Sequence, residues 1–380
     1  MSVRRAISSV FAMSAALAAL GWPRDGASHN PVLTTVTFDR EIVALIERRC
    51  VQCHIEGGMA MALGTYAEAR PWAVAIKEEA LARRMPPWPA ERGYGEFVND
   101  GGLTQREFDF LISWVDGGVP KGQREPRPLQ DHRNHWMLGE PHRRETAKDG
   151  AKVEAGSPVA FQRIVIDPDL TKSTWIRAID YKPGDHRVAR AAFFSVAGTG
   201  QYLGGWTPWH STTELPDGVA FQLPAGARIA VDVLYRGIGE TVVDKPTLAL
   251  YFASHPRPVP VGQLVLQPPA GQGASSPPHA RRVGAELRVP VDSRLLSMRT
   301  DMAAGAKSLE IKTRRPDGVV QILLLIKEYP QQWQTPYVFR QPIAVPKDSL
   351  IQATAYFSGD AVAQSRPPFT VTFQTYQNPL

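Results

Sequence analysis

The sequence predicts a multidomain α plus all-β chain, in which a small helical domain precedes two tandem antiparallel β-sandwiches of jelly-roll type. Apolar residues recur at helical spacing only in the first third of the chain. Beyond residue 153 they fall instead in short β-rich runs bounded by Gly, Pro and Asp. A low-complexity stretch, 268–278, then splits those runs into two sets. At 380 residues the chain is too long for one small helical unit and suits two or three units. Its 43% hydrophobic and 21% charged residues are the composition of a globular protein that buries sizeable cores. Its 33 Pro and 31 Gly supply the turns that many short strands require. The expected layout is a signal peptide over 1–28, a helical domain over 31–121 and a linker over 122–152. A first sandwich over 153–267, a second linker over 268–282 and a second sandwich over 283–380 follow.

The amino terminus has a charged start through Arg5, an apolar run from Ala6 to Leu20 and a break at Gly21-Trp22-Pro23. That is the pattern of a signal peptide, so the chain is expected in the periplasm. The run is shorter than the ~20 apolar residues that span a bilayer, which favours cleavage over anchoring. The net charge of +6 includes Arg4, Arg5 and Arg24 of this leader. No Lys/Arg run with interleaved aromatics exists elsewhere, so nucleic acid is not an expected partner.

In the helical domain, Phe38, Ile42, Leu45 and Ile46 predict a helix that starts near Asp39 and ends at Cys50. Trp72, Ile76 and Leu81 mark a second helix running roughly from Tyr66 to Arg84. A third has a capping box in Thr104 and Glu107, an apolar stripe in Phe108, Leu111, Ile112 and Val115, and a stop at Gly117-Gly118.

Cys50 and Cys53 are the only cysteines, and in an oxidising compartment so close a pair would otherwise read as a disulfide or redox motif. His54 changes the reading by completing C-x-x-C-H. In this motif two thiols add across haem vinyl groups while the adjacent imidazole reaches the iron. A zinc site would need a second pair of ligands, and a thioredoxin-like site a βαβ context. The expectation is therefore a small cytochrome c domain with one haem c, attached through Cys50 and Cys53 and ligated by His54. The far axial ligand is expected from Met85, in the proline-stiffened run Arg84-Met85-Pro86-Pro87-Trp88, with Met61 and Met59 as alternatives. Arg83, Arg84 and Trp88 would shape that loop or its docking face. One-electron transfer with a periplasmic redox partner protein needs no general acid, base or nucleophile, so no catalytic residue is assigned.

From about residue 40 onward the chain resembles bacterial proteins that join a c-type cytochrome domain to a copper type II, ascorbate-dependent monooxygenase-like region, related to peptidylglycine α-hydroxylating monooxygenase. The resemblance rests first on Cys50 to His54, Arg70-Pro71-Trp72, Arg84 to Trp88, Tyr94-Gly95 and Trp114-Val115-Asp116-Gly117-Gly118. Further along it rests on Trp175-Ile176-Arg177-Ala178, Lys182-Pro183-Gly184, Leu215 to Gly218, Leu223 to Gly226 and Asp317-Gly318. It implies copper held by a histidine pair, a later histidine before a tyrosine, and a His-x-His with a methionine. The corresponding positions here are Arg190 and Ala191, Leu234 before Tyr235, and Asp301 and Ala303 flanking Met302. Arginine and leucine cannot replace imidazole on copper, so copper is not expected, and the sandwiches are expected to serve docking or structure.

After residue 150 the histidines are isolated ones, His186, His210, His255 and His279, while His132, His135 and His142 lie in the first linker. Solvated or hydrogen-bonded roles are expected for these. Trp206 and Trp209, in a Gly- and Pro-containing loop ending at His210, are expected in the core of the first sandwich, with lining of a ligand surface as the alternative. Electron transfer is the leading expectation. The alternatives are a haem-fed copper monooxygenase and a non-catalytic binding or sensor subunit.

Overall fold

The computed structural model describes residues 33–125, 129, 133, 135–210, 212–269, 281–358 and 367–377. The expected signal peptide, His132, His279 and most of the 268–282 linker lie outside them. The described chain is mostly β-strand in several sheets, with its helices between Phe38 and Asp116. No helix among the described residues is long and apolar enough to cross a membrane.

A π-helical turn, Phe38–Ile42, runs into α1 (Val43–Arg49). Next come α2 (Tyr66–Ala69), a 3-10 turn over Arg70–Trp72, α3 (Ala73–Leu81) and α4 (Gln105–Asp116). The single helix expected from Tyr66 is thus interrupted at Pro71, whose missing N–H is tolerated only where a helical segment begins. Thr104 and Glu107 form the expected capping box, with Thr104 Oγ1 accepting from Glu107 N at 3.2 Å and Glu107 Oε2 accepting from Thr104 N at 2.7 Å. Thr65 and Glu68 build a second box that hydrophobic spacing alone does not reveal. Phe38, Ile42, Leu45, Ile46, Leu111 and Trp114 pack into one buried cluster. Trp114 Nε1 donates to the Pro120 carbonyl at 3.1 Å, closing the helical segment on itself.

The β region forms two pairs of sheets, each pair sharing a core. In the first, one sheet runs Arg143–Thr146, Thr247–Phe252, Thr174–Lys182, Val219–Leu223 and Val259–Pro260, with Thr212–Glu214 also paired to Thr174–Lys182. The other runs Ala160–Ile166, Ile229–Tyr235, Ala189–Val196 and Tyr202–Trp206. Ile176, Leu250 and Phe221 from one meet Phe194, Val231 and Trp206 from the other. The second pair places Gly262–Leu266, Phe369–Tyr376, Ser293–Met302 and Tyr337–Val345 over Arg281–Arg288, Leu350–Phe357, Ala306–Arg314 and Val320–Ile326. Its core joins Leu295, Met298 and Phe373 to Leu309, Ile311 and Leu324.

Two segments depart from the expected layout. The first linker contains strands, Arg143–Thr146 and Ala151–Val153, each antiparallel to a strand of the first pair's region. Gly262–Leu266, expected in the first sandwich, pairs instead with Phe369–Tyr376 of the second. All three strands are short, three to five residues, and which neighbour they pair with is set by distant chain, not by their own pattern.

The three regions interlock. Residues 88–99, between α3 and α4, lie along the second sandwich: Glu91 N donates to Leu325 O, Val98 N to Val338 O and Arg340 N to Glu96 O, each at 2.8 Å. Trp88, Ala90 and Phe97 belong to that sandwich's core. The sandwiches join through Gln374 Nε2, which donates to Tyr202 O at 3.1 Å, and Tyr202 N, which donates to Gln263 Oε1 at 3.0 Å.

Candidate functional site

The Cys-x-x-Cys-His segment continues the end of α1 as hydrogen-bonded turns. Cys50 N donates to Ile46 O, and His54 N to Cys50 O, each at 2.8 Å. Both thiols are free and half-buried. Burial pushes each up to about 12, far from the depressed values that make a reactive thiolate. They are neutral thiols facing a cavity of about 610 Å³, within the size range of small-molecule and cofactor sites.

His54 lines the same cavity. Its Nδ1 lies 3.0 Å from the Met61 carbonyl, which can only accept, so Nδ1 carries the proton and Nε2 keeps a free lone pair. Burial lowers the basicity of this imidazole, against the opposing pull of the Met61 carbonyl, which favours the neutral form that ligates metals. The carbonyl bond also fixes the ring's orientation, as second-sphere acceptors do for metal-binding histidines.

Met85, Met61 and Met59 all line the cavity. Met61 is held by its own carbonyl behind His54 Nδ1, on the edge of the ring away from Nε2. Met85 arrives from α3 by a Schellman turn. Arg83 sits in the left-handed region at φ 55°, Arg83 N donates to Ala80 O and Arg84 N to Glu79 O. Arg84 then makes a bidentate pair with Glu79, at 2.7 Å for both bonds. Arg83 pairs with Glu91 at 2.8 Å, and Glu91 also meets Lys327 of the second sandwich at 3.3 Å. The two arginines that precede Met85 thus tie its loop to α3 through Glu79 and to the second sandwich through Glu91.

The remaining wall comes from the sandwiches, and of its residues only Trp209, in the loop ending at His210, is marked in the sequence as an alternative ligand-lining residue. Arg190, Trp209, His210 and Arg236 of the first sandwich and Trp333 of the second face the same cavity as the cysteines. Arg190 is 9% exposed, and its guanidinium carbon lies 4.2 Å over the Trp333 ring. Trp209 packs on Trp333 with ring centroids 6.1 Å apart, and on the backbone of Gly101, where a Cβ would sit 3.2 Å from the indole. Trp206 takes the expected core place, whereas Trp209 serves the cavity. Trp209 Nε1 and His210 Nε2 are buried without a hydrogen-bond partner among the described residues. Burial lowers His210 to about 4 and Arg190 to about 10, the latter helped by the like charge of Arg236. Apart from the adjacent Trp209 and His210 these groups are distant in sequence and of ordinary type, so only the fold brings them together.

No family model and no curated protein matches this chain. Among solved structures, it is similar to the major capsid protein P2 of bacteriophage PM2 at 10% identity and TM-score 0.29, over 61% of this chain and 96% of that one. Allantoicase from Saccharomyces cerevisiae aligns at 11% identity and TM-score 0.20, over 60% and 81% of the two chains. A tandem CBM22 domain from Paenibacillus barcinonensis Xyn10C aligns at 8% identity and TM-score 0.16, over 62% and 97%. Similarities of this size carry no argument about the chain's chemistry.

The positions at which the resemblance implies copper ligands hold other chemistry. Ala191 and Leu234 are cross-strand partners and are buried in an apolar cluster with Phe193 and Tyr202. Asp301 is paired with Arg299 at 2.7 Å, and Met302 packs against the second sandwich's core. These residues do not fit copper, because two are hydrocarbon and the carboxylate is already neutralised.

Glu107 anchors the motif from below. It is 5% exposed, caps α4, and receives Arg49 Nε at 3.2 Å and Arg48 Nη2 at 3.4 Å, from the residues just before Cys50. Burial raises its pKa, but the Thr104 hydrogen bond and the Arg49 guanidinium outweigh burial and hold it below the usual glutamate range. Glu107→Ala should lower stability by about 2–4 kcal/mol, adding a lost cap to lost charged hydrogen bonds, as read by urea unfolding. The carboxylate's contribution is fully present above the unfolded glutamate value of ~4.3 and is lost as pH falls through the lower folded value. The stability gap between wild type and the Ala variant should therefore narrow on acidification below that point.

Proposed function

We propose that this chain is an exported, periplasmic c-type cytochrome that transfers single electrons. The observation carrying the reading is the convergence of Cys50, Cys53, His54 with its free Nε2, and Met85 on one largely apolar cavity. The donor set fits a covalently attached haem: two neutral thiols three residues apart, an oriented imidazole and a thioether. When bound, such a haem supplies a one-electron iron couple. Cys50 and Cys53 would hold it, His54 would ligate from one face and Met85 from the other. Leu45, Leu63 and Leu111 keep the cavity wall dry, and a dry shell with a thioether opposite histidine raises a reduction potential. Met61 is the poorer sixth ligand, because its backbone is committed behind the histidine.

The reading is that of an electron carrier with a redox protein as partner, and not of a copper monooxygenase. Its support is the apolar filling of Ala191 and Leu234 beside a complete cysteine, histidine and methionine set. The sandwiches, on this reading, are a relic of the enzyme fold that now frames the haem. The test is export of the full chain alongside a haem-attachment system, followed by haem staining of denatured protein and analysis for iron and copper. Wild type should carry one covalent haem and no stoichiometric copper, and Cys50→Ala/Cys53→Ala should lose the stain entirely. Copper near one equivalent, or wild type without covalent haem, would sink the proposal. Ready carbon monoxide binding by the reduced protein would turn it toward a sensor.

A further inference from the structure

The cavity wall contributed by the first sandwich carries more positive charge than the protein compensates. Arg190 is buried, Arg236 is near enough for their like charges to interact, and among the described residues neither guanidinium makes an ion pair. The other charged groups lining this cavity all have opposite-charge partners among the described residues: Arg48 and Arg49 share Glu107, Glu79 pairs with Arg84, and Asp100 meets Arg92 at 3.9 Å. A buried guanidinium whose polar contacts are an aromatic face and a second cation is costly unless an anion joins it. Beside the two cations, Trp209 Nε1 and His210 Nε2 are buried and unpartnered. An unmatched donor surface on one wall calls for an acceptor with negative charge that the polypeptide does not itself provide.

We propose that this wall binds the carboxylates of the haem: Arg190 and Arg236 as charged partners, with the Trp209 N–H as a neutral donor and the buried His210 ring beside it. The inference rests on the haem reading above and extends it to a second domain. A haem brings two carboxylates into a cavity where the arginines of the helical segment already share Glu107, while Arg190 and Arg236 have no ion pair among the described residues. The first sandwich then completes the cofactor site instead of standing beside it.

The test uses the exported holoprotein and three variants, Arg190→Met, Arg190→Lys and Arg236→Gln, the last at an exposed site where folding is not at stake. Two quantities are measured on samples of equal covalent haem content: the midpoint reduction potential, and the propionate-bending band in the resonance Raman spectrum. Removing a cation beside the carboxylates leaves more negative surroundings, which disfavour the reduced iron. Arg190→Met should lower the potential and shift the propionate band, Arg190→Lys should recover most of the potential, and Arg236→Gln should lower it by a smaller amount. Covalent haem with both quantities unchanged in Arg190→Met and Arg236→Gln would overturn the proposal and leave the haem reading standing. Absence of covalent haem in wild type would overturn the haem reading itself. A potential that moves with added inorganic phosphate in wild type but not in Arg190→Met would assign the wall to a diffusible anion and overturn the carboxylate assignment.

Discussion

Met85→Ala holoprotein should lose the weak far-red absorption band of iron–thioether ligation in its oxidised state, and its reduction potential should fall. A thioether stabilises reduced iron more than oxidised iron, and axial ligation spans a ~0.8 V range of potentials, so loss of the ligand should be among the largest shifts any single variant produces. Met85 carries the expectation because its loop is tied to α3 by the Arg84–Glu79 pair and to the second sandwich by the Arg83–Glu91–Lys327 chain, so its thioether is presented to the cavity by a fixed backbone. Met61→Ala is the matched control. Its side chain lines the same cavity, but its carbonyl serves His54 Nδ1, which any residue's backbone can do. The Met61 variant should therefore keep the band. If the band survives in Met85→Ala and disappears in Met61→Ala, the ligand assignment is wrong, and the histidine and cysteine roles are untouched.

The local parts of this site were legible because they are short-range. The motif from Cys50 to His54, the Thr104 and Glu107 capping box, and the stripe through Leu111 and Val115 lie within a few residues of one another, and their chemistry follows from spacing alone. The change to β-rich runs beyond residue 153 was legible for the same reason, since strand period and turn residues are local. Partner choice was not. Gly262–Leu266 carries nothing in its own five residues that selects Phe369–Tyr376 over the nearer strands. Most of the cavity wall was beyond reach on the same grounds, Trp209 being legible only as an alternative to a core residue. Arg190, Trp209 and Trp333 are ordinary on their strands and loops, and become a site only when two sheets and a helical segment close on one another. Trp88 is the most instructive case, because its neighbours in sequence placed it beside the methionine loop while its ring belongs to another unit's core.

That placement predicts a coupling between a sandwich core and the iron ligand. Trp88 is buried against Phe97 and Tyr337, with ring centroids 5.8 and 5.6 Å away, and its neighbours Ala90 and Phe97 form bridges to Ile326 and Phe339. Trp88→Ala should cost about 3–5 kcal/mol of stability, the usual range for truncating a buried indole, seen as a lower unfolding midpoint in guanidinium. The same change removes the plug that fixes residues 88–98 on the second sandwich, three residues downstream of Met85. The far-red thioether band should weaken at denaturant concentrations well below global unfolding, because the loop's anchorage is lost before the cores open. Trp88→Phe, which keeps a ring in the pocket, should lose less stability and hold the band nearly to the main transition. Coincident loss of band and fold in both variants would mean that the ion pairs of Arg83 and Arg84 suffice to position Met85. The sandwich would then contribute stability to the site but not its geometry.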